Sequence, residues 1–527
     1  MSQGEIPRRW AGLVFISIAV SLIIVDSTIV NVAVPSIVEE LRISSTEVQW
    51  VQEAYTLVFA SLLLVFGSLA DRVGRRRLML IGVTVFALAS IAAAVAPSGG
   101  LLILARLVQG IGGSMILPTT LSLINATFHG RERGIAFAVW GSTIGGMAAV
   151  GPLLGGWLTT AFSWRWAFGI NIPLGILIVI GVLFTVAESR SDRRESIDGI
   201  GAVLSVTTMA PLVFGLIEGR TYGWWTVEQT PQIGPWEWSL PLSPVPIAFA
   251  LAAVSLVAFV AWGAHRQRTG RSTLLALGLF RIASFRNGNI AAAVVSLGEF
   301  GIILALPLWL QFVVGFDALQ TGLLLLSLAI GSFVASGIAG ALSGRAAPVW
   351  IVRAGLAAEI IGVAGVALTI GPDATWGPLI PFLFIYGVGV GLATAQLTGV
   401  VLAEVPAGES GAASGTQSTS RQLGAALGVA ILGTVLFSTT SGVLAASLDN
   451  RGLPTEQRDQ VVSQVVDSAG GAILGLEQSP QTRDIAEDAR AAFSDGTRAA
   501  AFTAAGFLTL GLASTLTLGT ARVRSRE

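Results

Sequence analysis

Several ionisable residues lie inside long apolar segments of this 527-residue sequence, where they are candidates for proton or ion chemistry. Asp26, Glu53 and Arg106 lie in the first, second and fourth segments, and Glu299 and Glu359 lie in the ninth and eleventh. A charged side chain at the centre of a bilayer costs at least about 2.5–3.5 kcal/mol, so such residues are functional candidates by default. Burial disfavours the charged form of a carboxyl group, which adapts it to binding and releasing protons.

Asp26, Glu53 and Arg106 are predicted to share one layer of the membrane. At a rise of about 1.5 Å per residue, each lies several residues to the outer side of the midpoint of its segment. An arginine at that depth neutralises one carboxylate and leaves the other to titrate. We therefore predict that these three residues couple the movement of protons. The alternative is a fully paired structural cluster that does not titrate near neutral pH.

Composition places these residues on membrane-spanning helices. Of all residues, 53% are hydrophobic and 12% are charged, whereas about a quarter of the residues of a soluble domain are charged. Basic and acidic residues balance at 31 each, so no net charge points to nucleic acid. There is no cysteine, and His129 and His265 fall in polar loops; we predict no metal site and no cofactor.

About fourteen apolar segments follow one another, each long enough to cross a hydrocarbon core about 30 Å thick. They lie near 10–34, 47–70, 78–96, 101–125, 134–158, 166–187, 198–218, 245–264, 287–313, 321–342, 349–370, 378–402, 417–440 and 498–520. The sequence therefore predicts an all-α polytopic membrane protein. Between the last two segments, the long external loop 441–497 is expected to cap them, with amphipathic helices at Pro454–Val466 and Thr482–Phe493.

One short turn, Gly67-Ser-Leu-Ala-Asp-Arg-Val-Gly-Arg-Arg-Arg77, carries one acid and four arginines between the second and third segments. Most other arginines of the short loops fall on the same side of the predicted membrane. Because cytoplasmic loops collect arginine and lysine, this side is predicted to be the cytoplasm. The even number of segments then places both the N- and C-termini in the cytoplasm.

These motifs resemble those of the major facilitator superfamily, and in particular its fourteen-helix drug:proton antiporters (the EmrB/QacA-like family). The Gly67–Arg77 turn matches the superfamily's loop between helices 2 and 3. Further matches are Val25–Pro35 in the first segment, Arg106–Gly112 in the fourth, Trp164–Pro173 around the sixth and Gly411–Gly424 entering the thirteenth. Together they cover both halves of the chain.

The resemblance implies two six-helix bundles with two extra inserted helices. It suggests an N-terminal bundle at 1–190, two additional linker helices at 191–270 and a C-terminal bundle at 271–527. Helices 1, 4, 9 and 12 of such a transporter line the central cavity. We therefore predict that Glu299, Asn31 and Gln396 bind substrate, whereas Glu359 in helix 11 would be peripheral. The alternative for Glu299 is permanent neutrality, or pairing with Asn289 or Gln396.

The resemblance also assigns a gate to the turn between helices 2 and 3. The predicted gating residues there are Gly67, Asp71, Arg72, Gly74 and Arg75. Asp71 is expected near the start of the thirteenth helix, around Gly415 to Gln417. There the positive end of the helix dipole favours a carboxylate by about 0.3–1 kcal/mol.

The fifth segment carries a glycine pattern with a proline. Small residues allow helices to approach closely in lipid, and Pro152 removes one helical hydrogen bond and should bend the helix. The pattern resembles the antiporter motif of the superfamily, so Gly151 and Pro152 are predicted to form a moving seam. The alternative is structural packing. The glycines of the pattern are Gly141, Gly145, Gly146, Gly151, Gly155 and Gly156.

The sequence as a whole predicts a proton-coupled efflux transporter in the inner (plasma) membrane. Its partners would be a small-molecule substrate, amphipathic and cationic, together with protons and the lipid bilayer. We expect a monomer that binds no nucleic acid. We predict no enzymatic activity, because no nucleophile–base pair, phosphate-binding glycine loop or metal-ligand cluster occurs. The alternatives are a dedicated exporter of one metabolite or lipid, and a membrane sensor that transports nothing.

Overall fold

The computed structural model describes residues 6–43, 45–190, 198–233, 236–271, 273–342 and 346–518. The chain is almost entirely helical there, with one small antiparallel ribbon, β1 (Gln232–Ile233) and β2 (Trp236–Glu237). The helices are α1 (Ile6–Leu41), α2 (Ser45–Val73), α3 (Arg75–Ala94), α4 (Gly99–Thr127), α5 (Gly130–Ala161), α6 (Arg165–Gly169), α7 (Asn171–Thr185), α8 (Gly199–Tyr222), α9 (Pro244–Arg268), α10 (Ala283–Phe312), α11 (Ala318–Leu342), α12 (Pro348–Thr369), α13 (Trp376–Leu402), α14 (Ser410–Asn450), α15 (Thr455–Asp467), α16 (Ala472–Glu477) and α17 (Arg483–Ser514).

Among the described residues, thirteen helical spans are long and apolar enough to cross a membrane, with α6 and α7 counted as one span. The glycine-rich α5 is a further helix of 32 residues at the place of the fifth predicted segment. Every predicted segment therefore corresponds to a long helix. The protein is a multi-pass membrane protein, as its composition predicts.

The helices pack as two groups joined by a hairpin. The first group comprises α1 to α7, and the second comprises α10 to α14 with α17. Between them in sequence, α8 and α9 pack against each other, and α8 also contacts α2 and α14. The two groups meet mainly where α2 packs on α14 and where α5 packs on α11 and α13. Relative movement of the two groups would change the contacts at these seams.

Large aromatic residues fill the interior, and their polar atoms have partners. Trp140 donates from its indole nitrogen to the Thr120 hydroxyl at 3.1 Å, and Trp309 donates to the Ser494 hydroxyl at 3.2 Å. Both rings are almost completely buried. A buried indole N–H needs such an acceptor, because leaving a polar group unpaired costs about 1–3 kcal/mol.

The predicted external loop 441–497 is mostly helical instead. α14 continues to Asn450, α15 forms at the first predicted amphipathic helix, and α16 follows. The second predicted helix, Thr482–Phe493, is not a separate element, because α17 runs without a break from Arg483 to Ser514. Arg451, just after α14, pairs with Asp488 of α17. The polar cap is thus a direct extension of the last two spanning helices.

Candidate functional site

Asp26 lies at the centre of a buried hydrogen-bond network in the first helix group. Its carboxylate accepts bonds from Arg106 Nη1 at 2.5 Å, Asn171 Nδ2 at 2.6 Å and Gln109 Nε2 at 3.1 Å. Both amides also donate to the Ser90 hydroxyl, at 2.8 Å from Gln109 and 3.2 Å from Asn171. These residues come from α1, α3, α4 and α7, so the network joins four helices of one group.

The Arg106 guanidinium is held from several sides. Its Nε donates to the Val51 carbonyl oxygen at 3.1 Å, and Nη1 also reaches Gln109 Oε1 at 2.8 Å. The Tyr55 ring lies with its centroid 4.6 Å from the guanidinium carbon. Arg106 and Asp26 are 1% and 0% exposed. Removing one partner of such a buried ion pair costs about 3–5 kcal/mol, because the other charge is left uncompensated.

Glu53 does not join this network. It lies two residues after Val51 on α2, and two residues turn a helix by about 200°, so its side chain leaves the opposite face. There it hydrogen-bonds with Glu218 of the inserted helix α8, and its charge also acts on Arg220. The predicted layer of three residues therefore separates into an Asp26–Arg106 pair and a distinct pair of carboxyl groups between α2 and α8.

Glu299 lies on α10, buried in the second helix group. Its Oε1 accepts a bond from the Thr394 hydroxyl at 3.1 Å, and its Oε2 lies 3.8 Å from Arg421 Nη2. The Tyr386 hydroxyl donates to its backbone oxygen at 3.3 Å. The Glu299 side chain is 5% exposed and that of Arg421 is 17% exposed. The acid therefore has one direct hydrogen bond and a more distant cation.

The predicted partners of Glu299 make other contacts. Asn289 donates to the Phe285 carbonyl oxygen at 2.8 Å. Gln396 is buried, and its Nε2 has no hydrogen-bond partner among the residues that the structure describes. Pairing with one of these amides is the alternative that the sequence left open for Glu299; among the described residues its side chain contacts Thr394 and Arg421 instead. Asn31, the third predicted substrate ligand, has a side chain that falls outside the described residues.

Asp71 caps the start of α14, where it joins the two helix groups. Its Oδ1 accepts from the backbone nitrogen of Gly411 at 2.8 Å, and its Oδ2 accepts from that of Ala412 at 2.9 Å. Arg75 adds bonds to Oδ1 at 2.7 and 3.1 Å. The contact point lies before the predicted stretch Gly415–Gln417, because α14 begins at Ser410, seven residues earlier than its apolar part. A carboxylate at a helix start is favoured by the free N–H groups and the dipole.

Gly67 brings α2 and α14 into backbone contact one turn from Asp71. A Cβ atom at position 67 would lie 2.6 Å from the Cα of Gly415 and 2.7 Å from the Gly411 carbonyl oxygen. Any side chain there would have to push the helices apart. Close beside it, Asn125 of α4 donates to the Ser410 hydroxyl at 2.9 Å. This end of the molecule is therefore latched shut between the two groups.

Gly74 and Arg72 complete the turn. Gly74 has a φ of 114°, a conformation that favours glycine, and the Glu188 carboxylate lies against it. Glu188 accepts from the backbone nitrogens of Arg76 and Arg77 at 3.2 and 3.1 Å, which caps the start of α3. Arg72 is half-buried and lines a polar cavity of about 240 Å³ beside Asp71.

Two glycines of α5, Gly151 and Gly155, face α1 rather than the other helix group. A Cβ atom at Gly151 would overlap the Thr28 side chain, and one at Gly155 would lie 2.9 Å from Ile29 Cγ1. Both contacts are within one turn of Asp26. On another face of α5, Leu153 contacts Gly322 of α11. α5 is therefore packed between the Asp26 helix and the seam; the side chain of Pro152 falls outside the described residues.

At the end opposite the Asp71 latch, Glu40 joins α1 to α6. Its carboxylate accepts from Arg165 Nη2 at 2.8 Å and from the Trp164 indole at 2.7 Å. The Arg165 and Trp164 hydrogen bonds hold the pKa of Glu40 below its ordinary value of 4.5. Arg165 also donates to the carbonyl oxygens of Ala94 and Ala96. This contact ties three helix ends of one group together.

Four contributors to these networks had no predicted role, and three of them lie in the quoted motifs. Gln109 and Asn171 lie in the fourth- and sixth-segment motifs, and Arg421 lies in the motif entering the thirteenth. Ser90 had no motif at all. An amide or hydroxyl carries little signal in a sequence, because its role depends on what it faces. Among the described residues, no group of three or more His, Cys, Asp or Glu side chains has the arrangement of a metal site.

The chain is similar to known membrane transporters. Residues 16–429 match the family model described as Major Facilitator Superfamily. The chain is 34% identical over 454 residues to the "Probable actinorhodin transporter" of Streptomyces coelicolor, covering 84% of this chain and 75% of that protein. It is 33% identical over 493 residues to the "Multidrug efflux pump LfrA" of Mycolicibacterium smegmatis, covering 93% and 92%.

The fold also matches a solved structure. The human organic anion transporter MFSD10 (TETRAN) superposes with a TM-score of 0.60, covering 96% of this chain and 99% of that chain at 13% identity. At that identity the likeness concerns the fold alone.

Proposed function

Because the chain belongs to the Major Facilitator Superfamily, we propose that it is a proton-coupled antiporter that exports amphipathic, cationic compounds from the cytoplasm. The multidrug efflux relative covers nearly the whole of both chains, which supports efflux. Small-molecule transport is what the superfamily does. Our proposal adds three points to this: the identity of the coupling ion, the charge of the substrate and the orientation of the protein in the membrane.

The observation that carries the proposal is the buried Asp26–Arg106 pair. Transporter helices of this fold bind ions near the bilayer midplane between their repeats. A proton that reaches Asp26 converts the carboxylate to the acid and leaves Arg106 as a free cation. The two states differ in charge at one buried point, and such a difference biases one arrangement of packed helices over another. Gly151 and Gly155 pack α5 against α1 close to Asp26. Because α5 also packs on the second helix group, a change at Asp26 could be transmitted directly to the contact between the two groups.

The Asp71 latch suggests how access alternates. With the Asp71 end closed by α2, α4 and α14, the opposite end of the pathway is the one that opens. Because cytoplasmic loops collect arginine, we take the arginine-rich turn and its latch to lie at the cytoplasmic side of the inner membrane, with both termini cytoplasmic. Gly67, Asp71, Arg72, Gly74 and Arg75 then act as the cytoplasmic gate. We assign residues 1–190, 191–270 and 271–527 to the N-terminal bundle, the inserted pair and the C-terminal bundle of a monomer.

Glu299 supports a cationic substrate. It is an acid on α10, walled largely by apolar helices, where water screens charge weakly. The cation paired with it, Arg421, lies 3.8 Å away, too far for a direct hydrogen bond. A lipophilic cation entering between the bundles would compete with Arg421 for the same carboxylate, and an anion would be repelled by it. Gln396, buried with an unpaired amide nitrogen, is a further polar group for substrate.

Export from proteoliposomes under an imposed pH gradient tests the proposal. The purified protein is reconstituted and challenged with cationic, neutral and anionic compounds of similar size. We expect transport of cations that depends on the gradient and collapses with a protonophore. Transport that ignores the gradient would contradict proton coupling, and efficient transport of anions would contradict the cationic substrate.

A second candidate is a dedicated exporter of one metabolite. The relative named for actinorhodin favours it, because that protein carries the name of a single compound. The same panel separates the two candidates. A multidrug pump would move many of the cations, whereas a dedicated exporter would move one chemical type and exclude the rest.

A further inference from the structure

Asp198 is a buried acid just before α8 that the proposed transport mechanism does not use. Its Oδ1 accepts hydrogen bonds from the backbone nitrogen of Gly201 at 2.9 Å and from the Trp262 indole nitrogen at 2.8 Å. Its Oδ2 accepts from the backbone nitrogen of Leu274 at 3.1 Å. Asp198 is 2% exposed, and Arg266 Nε lies 3.6 Å from Oδ1. One side chain therefore joins the start of α8, the last turns of α9 and the segment that follows α9.

The segment 273–278, which we call the strap, leads from α9 toward α10 of the second helix group. It also packs against the first helix group, because Leu274 forms a small hydrophobic cluster with Leu64 of α2 and Phe259 of α9. Leu64 precedes Gly67 by three residues, which is about one turn of helix from the close contact between α2 and α14. The strap is thus held against α2 beside the latch.

The other side of the strap faces the start of α14. The polar cavity of about 240 Å³ lies between them, and its walls include Thr273 and Gly278 of the strap, Arg72 of α2 and Glu409 at the start of α14. Asp71, which caps α14, lines the same cavity. Because the strap continues toward α10, it passes from one helix group to the other at the closed end of the molecule.

The two carboxylate oxygens of Asp198 have separate tasks. Oδ1 binds N–H groups of α8 and α9, whereas the hydrogen bond described for Oδ2 goes to the strap. An asparagine has one acceptor oxygen and an NH₂ group that only donates. Its NH₂ group would therefore face an N–H group that needs an acceptor. Because two bonds outweigh one, we expect an asparagine to keep its oxygen on the helix pair and to release the strap.

We propose that Asp198 is a positioning residue for the cytoplasmic gate, because it fastens the strap against α2 and so stabilises the form in which the Asp71 latch is closed. This inference rests on the proposed function, in which the latch opens and closes in each cycle. Opening moves the start of α14 away from α2, and the strap is drawn along with the second helix group. The bond from Leu274 to Asp198 and the packing of Leu274 on Leu64 resist that movement. The inserted helix pair thereby acts on the gate.

Distances between spin labels test the proposal without any measurement of transport. The chain contains no cysteine, so Arg77→Cys and Arg286→Cys introduce two labelling sites, both exposed, near the starts of α3 and α10. Double electron–electron resonance then gives the populations of a short, latch-closed distance and a long, latch-open distance. We expect Asp198→Asn to raise the ratio of long to short at least fivefold.

Trp262→Phe is the matched control. It removes one donor to the same carboxylate but leaves the bond to the strap, so the ratio of long to short distances should change less than twofold. If Trp262→Phe shifts the ratio as much as Asp198→Asn does, release of the strap is not the cause and the proposal is overturned.

A second variant covers the case in which Asp198→Asn fails to fold. Leu274→Ala keeps the backbone bond to Asp198 but removes the packing on Leu64, and it should raise the ratio at least twofold. An unchanged ratio in a folded variant of either kind would overturn the proposal, because a merely structural side chain would lower the thermal stability and leave the distances as they are.

Asp71→Asn, measured with the same labels, separates this proposal from the gate on which it rests. If Asp71→Asn raises the ratio of long to short distances and Asp198→Asn does not, only the role of Asp198 is refuted. If Asp71→Asn leaves the ratio unchanged, the proposed gate itself is refuted.

Discussion

The two bundles hold their central acids in different ways. In the N-terminal bundle, Asp26 accepts hydrogen bonds from three side chains, and its arginine is 2.5 Å away. In the C-terminal bundle, Glu299 accepts one side-chain bond and its arginine is 3.8 Å away. Close to it, Glu359 has no hydrogen-bond partner among the described residues.

This difference teaches that burial alone does not define a proton site. Asp26 is as buried as Glu359, but three donors satisfy its negative charge in place. A proton must displace Arg106 to bind there, so binding is linked to a structural change. In the C-terminal bundle Glu299 has one side-chain hydrogen bond and a more distant cation, so fewer groups hold its charge in place. We infer that the N-terminal network acts as a structural switch, whereas Glu299 remains available to a substrate.

The largest expected effect comes from removing each arginine in turn. Arg106→Met leaves Asp26 buried without its cation and the Val51 carbonyl oxygen without its donor, so we expect a loss of about 3–5 kcal/mol in the free energy of unfolding. Arg421→Met should cost about 1 kcal/mol, because that residue is partly exposed and not hydrogen-bonded to Glu299. Denaturant titration in mixed micelles measures both. Equal losses in the free energy of unfolding of the two variants would contradict the expected difference between the bundles.

Removing the charge of the carboxyl groups in the N-terminal half tests the difference between the two bundles further. Asp26→Asn keeps the size of the side chain but cannot hold the arginine as a carboxylate does, so gradient-driven export should fall by a factor of about 100 or more, equivalent to about 2.7 kcal/mol. Glu53→Gln tests the same role for the separate pair with Glu218. Both variants are expected to remain folded with measurable substrate binding. If the pH dependence of transport is unaltered in both, coupling through the N-terminal bundle is refuted.

Glu299→Gln probes substrate charge in the C-terminal bundle. Export of cationic compounds should fall about tenfold more than export of neutral compounds of similar size, because only the cations lose an attraction across an apolar site. Initial rates from the same proteoliposome preparation give the ratio. Equal loss for both classes would mean that Glu299 serves folding or coupling rather than recognition.

Asp71 is a third kind of buried acid, since backbone N–H groups compensate it. Asp71→Asn loses the Arg75 ion pair and the helix-start charge, so the latch should weaken by about 1–2 kcal/mol, a five- to thirtyfold shift toward the form that is open at the cytoplasmic side. Labelling of a single cysteine introduced at Gln267, which lines the adjoining polar cavity, reports the shift. Glu188→Gln, which lies just after α7 at the same end of the molecule and caps the start of α3, is the control. No change in labelling would argue against the latch.

Glu40 is the most exposed of the acids discussed here, and water compensates most of its negative charge. Its pKa lies below the ordinary value of 4.5, so its stabilising contribution is complete above about pH 4.5 and is lost as the pH falls below that value. Because Glu40 is exposed and Arg165 is only half-buried, the contribution should be under about 1 kcal/mol. Comparing Glu40→Gln with the unmodified protein at pH 3.5 and 7 measures it. A difference that grows toward acidic pH would contradict this sign.

The sequence alone determined the class, the number of spans and the family. Apolar segments about 20 residues long admit one structure in lipid, because every backbone group must be satisfied within the segment. The local motifs were equally informative: the turn Gly67–Arg77 resembles a loop of the family, and that resemblance, together with charge, predicted the contact of Asp71 with the start of the helix that is α14. The helical nature of the cap at α15 was likewise predicted from periodicity.

Only the tertiary structure decided which side of each helix the ionisable residues occupy. Depth in the membrane follows from counting residues, but direction depends on the rotation of each helix against its neighbours. Thus Asp26 pairs with Arg106, whereas Glu53 hydrogen-bonds with Glu218 on the inserted helix α8. Glu359, which helix order made peripheral, lies beside Glu299. Amides such as Asn171 acquire their role from the acid that they face, and the facing partner is 145 residues away in the chain, beyond the reach of any local pattern.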